Sequence, residues 1–287
     1  MVFPQERKPT ESEPHVGETV IWCRCECLVI ITSRGQASSG ATMSLGELCK
    51  KGDLEGVKAA LQKGLDVNAK DEYGVPGLVR AVCYNHDSAE VNYRRATIVA
   101  LLLKTPNIDV NLKSNLGKCA LHVAVRDRNN EALKLLLNHP NINVNIVDNR
   151  GHSAVYLAVY SKNNEGLELL LNVPNINVNI VDNRGRSAVH VAMYSDNIEA
   201  LKLLLGQPSL TALTLNQKDK YGVTPVMKAA RWNRLEHLAL LAADPRVDLD
   251  TTNKEGWSLE EVAWWVLLVA FSKLPSYTWT ESFLHQM

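Results

Sequence analysis

An all-α solenoid, made by stacking helix-turn-helix units that carry β-hairpin fingers, is the fold class this sequence predicts. Six glycines, Gly74, Gly117, Gly151, Gly185, Gly222 and Gly256, recur at gaps of 43, 34, 34, 37 and 34 residues. The underlying period is therefore 34, with nine extra residues in the first interval and three in the fourth. Self-similarity at such a period is the mark of a repeat architecture. A second marker keeps the same rhythm: Pro106, Pro140, Pro174 and Pro208 follow leucine-rich segments at steps of 34, and Pro245 comes 37 later. Agreement between two independent registers makes chance similarity improbable.

Each unit opens on a finger. Asp148-Asn149-Arg150-Gly151 places Asp first and Gly fourth, which suits a type I turn or its bulged hairpin version. Ser153 and Ser187 then stand two residues after a glycine, where a hydroxyl can cap a helix, and Thr224-Pro225 supplies a cap followed by proline at the first helical position. After a polar break, runs such as Gly166-Leu167-Glu168-Leu169-Leu170-Leu171 are apolar enough for a helix buried between neighbours, and Pro174 forbids its continuation. The order is hairpin, helix, turn, helix. In the first unit, Asn85-His86 match the polar break and Ile98 to Leu103 match the outer helix, so the nine extra residues are expected as a loop between the two helices, around 87–95.

Gly222-Val223-Thr224-Pro225 followed by Ala229-Ala230, and Leu121-His122 followed by Ala124, resemble the G-x-T-P-L-H-x-A-A signature of ankyrin repeats. The leucine triplets and the endings Asp109-Val110-Asn111 and Asn143-Val144-Asn145 resemble the rest of that consensus. The resemblance implies a repeat domain over 43–263: an N-terminal cap pair, five main repeats from about 71, 113, 147, 181 and 218, and a partial repeat from 253. The threonine position holds Pro76, Cys119, Ser153 and Ser187, and the histidine position holds Val79, Tyr156 and Met227, so weaker capping bonds and modest stability are expected. For His122 and His190 the resemblance implies structural hydrogen bonding and no catalytic role.

The ends depart from the pattern. Residues 1–42 read as an N-terminal extension, expected to be disordered or loosely attached, with Met43 as an alternative start. Cys23, Cys25 and Cys27 alternate there without a histidine partner, so no metal is expected. Residues 264–287 form an atypical apolar tail, read as a replacement end. Neither apolar stretch is long enough to span a membrane, which takes ~20 residues.

With 287 residues, 46% of them hydrophobic, the chain can bury a large stacked core, and a formal net charge of zero gives no bulk attraction to nucleic acid or membrane. Six cysteines without zinc-type spacing suit a reduced, cytoplasmic setting, with nuclear residence also compatible. There is no Gly-rich phosphate loop, no G-x-S-x-G and no H-E-x-x-H, so neither an enzyme nor a cofactor is expected.

What remains is binding. In ankyrin repeats, partners usually meet the concave face made by finger tips and inner helices. Carrying those positions over selects Tyr84, Lys118, Arg126, Arg150, Tyr160, Arg184, Arg186, Tyr194, Tyr221, Arg231 and Trp232. Counted over all such positions, seven positive charges stand against two negative ones. A non-enzymatic adaptor or regulatory module gripping another protein, through an acidic segment of it, is the expected function. A structural or cytoskeletal tether, or a splice variant with impaired stacking, is the alternative, and the oligomeric state is left open. The L-x5-D-V-N context of Asn111, shared by Asn145 and Asn179 with Asn in place of Asp, resembles the sites that asparaginyl hydroxylases modify in such repeats.

Overall fold

The computed structural model describes residues 20–22, 28–30, 43–83, 89–259 and 261. The chain divides into two compact units, Met1–Met43 and Ser44–Met287. In the first, β1 (Val20–Trp22) pairs antiparallel with β2 (Leu28–Ile30), Val20 opposite Ile30 and Trp22 opposite Leu28. The rest of that extension, including Cys23, Cys25 and Cys27, and the whole of the 264–287 tail lie outside the described residues.

The second unit opens with a helix pair, α1 (Leu45–Lys51) and α2 (Leu54–Gln62). Five inner and outer pairs follow. The first three are α3 (Gly77–Val82) with α4 (Ala89–Leu103), α5 (Ala120–Arg126) with α6 (Asn130–Leu137), and α7 (Ala154–Tyr160) with α8 (Asn164–Leu171). The fourth is α9 (Ala188–Ser195) with α10 (Ile198–Leu205). After the single-turn α11 (Ala212–Leu215), which absorbs the three-residue insertion, come α12 (Pro225–Arg231) and α13 (Leu235–Ala242). A last finger begins at Thr252, bridged to Ser258, and Ser258 and Glu261 exchange the reciprocal bonds of a capping box. The stack is the expected solenoid.

Local chemistry sets each finger. The Gly151 N–H donates to the Asp148 carbonyl at 3.0 Å, and Asp148 Oδ1 accepts from the Arg150 and His152 N–H groups, both at 2.9 Å. Gly151 holds φ +78°, and a Cβ there would come within 2.7 Å of the Asn183 side chain from the next finger. Conformation and close approach both require glycine.

Stacking buries the leucines of the outer helices, with Leu133, Leu136, Leu167, Leu170, Leu201 and Leu204 all at 0% exposure. Full burial of such a side chain contributes ~2 kcal/mol. Between them run ladders of polar bonds that tie unit to unit. His122 Nδ1 accepts from the Cys119 N–H at 3.2 Å while Nε2 lies 3.1 Å from the carbonyl of Ile146, which closes the unit, and 3.1 Å from that of His152 in the next. His190 repeats this with the Ser187 N–H and the Val223 carbonyl, each at 3.1 Å. Ser153 and Thr224 cap α7 and α12 directly, whereas Pro76 offers α3 no side-chain cap.

Asn129, Asn163 and Asn197 cap the outer helices and reach back to the preceding unit. Asn163 Oδ1 accepts from the Gly166 N–H at 2.9 Å, and its Nδ2 donates to the Val125 carbonyl at 3.0 Å and to Asn130 Oδ1 at 2.9 Å. Asn163→Ala should therefore lower stability by about 2 kcal/mol, since it removes a cap and two hydrogen bonds to the preceding unit. Urea unfolding would measure this, and a loss near zero would show that the junction does not depend on it.

The nine-residue insertion departs from the expected loop. It stays between the helices, but residues 89–95 are helical, so α4 has 15 residues where α6, α8, α10 and α13 have 8 each. Arg95 explains the gain: its buried guanidinium donates from Nε to the Lys50 carbonyl at 3.0 Å and from Nη1 to the Cys83 carbonyl at 3.2 Å. Two otherwise orphaned helix-end acceptors are satisfied by extending the helix. Glu90 and Arg94 pair on its solvent side.

Candidate partner-binding face

A buried carboxylate lies beneath four of the five main fingers. Asp71, Asp148, Asp182 and Asp219 each stand three residues before the finger glycine, and their side chains are nearly inaccessible. Oδ1 of each accepts backbone N–H groups of its own finger, leaving Oδ2 for a basic side chain. That side chain comes from one of two places. One residue after the glycine, His152 Nδ1 lies 3.2 Å from Asp148 Oδ2, and Arg186 Nε lies 2.7 Å from Asp182 Oδ2. Six residues after it, Arg80 Nε reaches Asp71 Oδ2 at 2.7 Å and Lys228 Nζ reaches Asp219 Oδ2 at 2.9 Å. In the second unit Ser114 takes the place of the acid.

Burial by itself raises the Asp148 carboxyl, but the hydrogen bonds from His152 and the finger backbone outweigh it and hold the group at about 2. Asp182 and Asp219 are shifted down in the same way, against burial, by Arg186 and Lys228. Burial also disfavours the charged Arg186, yet its bond to Asp182 leaves it harder to deprotonate than usual. These cations are held in place.

Along the inner helices they alternate with aromatic rings. His152 stacks on Tyr156 with centroids 4.3 Å apart. The Arg186 guanidinium lies 5.7 Å from both the Tyr156 and Tyr194 rings, and Lys228 Nζ lies 4.4 Å from Tyr194 and 5.8 Å from Trp232. Tyr194 and Trp232 meet edge to face at 4.3 Å. The result is a ladder of rings and cations running from the third unit to the fifth.

The ladder sorts the residues selected from sequence. Arg150 and Arg184 on the finger tips and Arg231 at the end of α12 are exposed, as are Tyr160, at 62%, and Tyr221, at 46%. Tyr194 and Trp232 are partly exposed but packed on each other. Arg186 is drawn back onto Asp182, Arg126 Nε is paired at 2.7 Å with Asp127, and Lys118 is buried. Tyr84 lies outside the described residues. The count of seven cations thus overstates the open charge, because Lys118, Arg126 and Arg186 point inward or are neutralised. Open cations at the counted positions are Arg150, Arg184, Lys220 and Arg231.

Sequence reasoning missed Lys228 and Tyr156 as ladder members. An aspartate three residues before the glycine, with a cation one or six residues after it, was the signal that would have found Lys228. Asn111, Asn145 and Asn179 belong to a different edge, the loop that follows each outer helix. Asn145 Nδ2 donates to the Asn175 carbonyl at 2.8 Å and its Oδ1 accepts from the Asn177 N–H at 2.7 Å, and Asn111 and Asn179 repeat this. Both polar atoms of each are committed to the next unit, so a modifying enzyme must open that junction.

Among the described residues no group of three or more His, Cys, Asp or Glu is placed to hold a metal, and no helix is long and apolar enough to cross a membrane.

Comparison with known proteins places these features. The family model described as Ankyrin repeats (3 copies) matches residues 86–182 and 174–253, together more than half of the chain. Ankyrin repeat domain-containing protein 37 of Bos taurus is 46% identical over 55 residues, 19% of this chain and 34% of that protein. Its Xenopus tropicalis counterpart is 44% identical over 54 residues, 18% and 32% respectively. The chain thus spans about a third of the length of these curated relatives. Among solved structures, the ankyrin repeat domain of Bcl-3, a member of the IkappaB family, superposes with a TM-score of 0.65 at 21% identity, over 78% of this chain and 94% of that one. A chain from the complex of the Bdellovibrio bacteriovorus predatory endopeptidase Bd0816 with the immunity protein Bd3460 gives 0.56 at 24%, over 69% and 96%. At these identities the likeness speaks for the fold.

Proposed function

The chain belongs to the ankyrin-repeat family, whose repeats are generally non-enzymatic protein–protein interaction modules, and from that premise we propose that it is an adaptor or regulatory module gripping a partner protein on its concave face. The observation that carries this reading is the pre-organised ring–cation ladder, with Tyr160, Arg150, Arg184 and Arg231 left open in front of it. A scaffold needs no such alignment for its own solubility. A partner does benefit, because aromatic and arginine side chains dominate binding energy when the surrounding shell is already ordered. The proposed partner is a protein presenting an acidic segment with an aromatic or aliphatic anchor, met in the cytoplasm or the nucleus. Charge steers the encounter and Tyr160 supplies buried contact.

The test is capture of the partner with the full chain, followed by surface plasmon resonance at two salt concentrations. Tyr160→Ala, which leaves the packed Tyr194–Trp232 pair untouched, should cost about 2 kcal/mol, roughly thirtyfold in Kd, mainly through faster dissociation. Unchanged kinetics with the repeats still folded would move the binding site off this face and favour a tether that uses other surfaces.

A further inference from the structure

Of the four buried finger carboxylates, three hold a side chain that stays charged at neutral pH. Asp71 holds Arg80, Asp182 holds Arg186 and Asp219 holds Lys228. Asp148 holds His152, and imidazole is the side chain that takes up or releases its proton under mild acid. The exception lies inside the ladder. His152 and Arg186 occupy the same place in consecutive units, one residue after the finger glycine, so Arg186 shows what a permanent cation does at this position.

His152 also faces two carboxylates at once. Its Nδ1 lies 3.2 Å from Asp148 Oδ2 in its own finger, and its Nε2 lies 3.9 Å from Asp182 Oδ2 in the next. Both aspartate side chains are 1% exposed and that of His152 is 13% exposed, so little water screens either approach. With one ring proton, on Nδ1, the bond to Asp148 is made and the Nε2 lone pair faces the Asp182 carboxylate. A second proton, on Nε2, turns that repulsion into attraction, and a ring shift of about 1 Å brings the contact to hydrogen-bond length. Tyr156 accommodates the shift, since the imidazole lies flat on its ring with planes 20° from parallel. The charged ring gains cation–π attraction there as well.

The charged and titratable groups around His152 come from three units. Arg150 is exposed at the tip of the same finger, and Tyr156 lies on α7 beneath the ring. Arg186 in the fourth unit is committed to Asp182. In the second unit, His122 meets the His152 main-chain carbonyl, and Lys118 is buried at the same place of the preceding finger.

We infer that His152 is a proton-operated clasp between the third and fourth units, whose second proton ties Asp148 to Asp182, adds positive charge to the concave face and strengthens its hold on an acidic partner. This rests on the reading of that face as the partner site and adds its regulation. The coupling is reciprocal: an acidic partner that favours the protonated ring is itself favoured by acid. The same proton quiets the junction, where the Asn183 N–H already donates to the Arg150 carbonyl at 3.0 Å.

The experiment compares the full chain with His152→Arg, which keeps a permanent charge as Arg186 does, and with His152→Gln, which keeps a neutral donor. Circular dichroism verifies that both variants are folded. Nitrogen-15 NMR of the wild-type ring should find the neutral form protonated on Nδ1, with the second proton arriving on Nε2 as the pH falls from 7.5 to 6.0. Hydrogen exchange of the Asn183 amide should be slower in wild type than in the Gln variant at pH 6.0, with the ratio about threefold larger than at pH 7.5. Binding of a rhodamine-labelled hexa-aspartate peptide, read by fluorescence anisotropy, should tighten about threefold over the same interval in wild type relative to the Gln variant. The Arg variant should bind tightly at both pH values.

A neutral ring protonated on Nε2, a ring doubly protonated throughout, or a Gln variant that keeps the wild-type pH response overturns the clasp. Peptide binding that responds equally to pH in all three proteins overturns it too, while leaving the acidic-partner reading standing. Failure of the peptide to bind any of them overturns the acidic-partner reading instead. The exchange ratio then decides the clasp, a rise supporting it and a flat ratio overturning it.

Discussion

Lowering the pH from 7 to 4 should destabilise the folded stack by several kcal/mol, and His122 and His190, the two histidines at 0% exposure, should account for most of the change. Burial drives the His122 imidazole down from 6.5 to about 4, against smaller raising effects from Asp148 and the carbonyls it faces. His190 is lowered in the same direction, by burial first and by the Lys228 charge second. Geometry gives the same answer: Nδ1 of each accepts a backbone N–H, so a second ring proton would face a donor. Each histidine is therefore neutral when folded at pH values where it is protonated in the unfolded chain. With the folded pKa below the unfolded one, the contribution is complete above about 6.5 and is lost as pH falls toward 4. For His122 the loss amounts to about 3 kcal/mol at the acid end, with His190 adding to it. Urea midpoints recorded from pH 7.5 to 4.5 would measure the slope. His122→Gln with His190→Gln should start lower and run nearly flat across that window, and an undiminished slope in the variant would assign the acid sensitivity elsewhere.

Lys228→Met should cost about 3 kcal/mol or more, the usual consequence of leaving a buried carboxylate without its cation. Asp219 and Lys228 have side-chain exposures of 3% and 6%, so water cannot take over the missing partner. The methionine keeps most of the packing against Tyr194 and Trp232, which isolates charge from volume. Adding Asp219→Asn removes the stranded charge while keeping an oxygen for the Tyr221 and Val223 N–H groups, so the double variant should recover a large part of the loss. Thermal and urea unfolding of both variants would decide. A double variant no more stable than the single one would show that Lys228 acts through packing, as a rung between two rings. The damage should stay in the fifth unit and its neighbours, because a solenoid adds up local terms.

Much of the molecule was legible in the chain because each of its rules is local. Turn glycines, capping hydroxyls and buried leucines sit in every unit at the same offsets, and 34-residue recurrence multiplies a weak signal into a firm one. Ser153 and Thr224 act as their spacing says. Other features could not be read this way. Residues 89–95 became helix because Arg95 finds a carbonyl 45 positions back, at Lys50, and no local pattern announces that partner. Lys118 and Arg126 have the composition of surface cations yet are withdrawn from the surface, one by burial and the other by pairing with Asp127.

The unit, its period and the order of its elements thus follow from the residues alone, since backbone conformation and helix capping depend on neighbours a few positions away. Which side chains remain free to meet a partner follows from the stack, because each finger's exposure and each cation's partner are set by contacts across and within folded units. Arg186 and Arg184 are two residues apart in the chain, yet one is bound to Asp182 and lies between two tyrosines while the other faces solvent. That division arises from packing and electrostatics at close range, which exist only once the helices have been brought together.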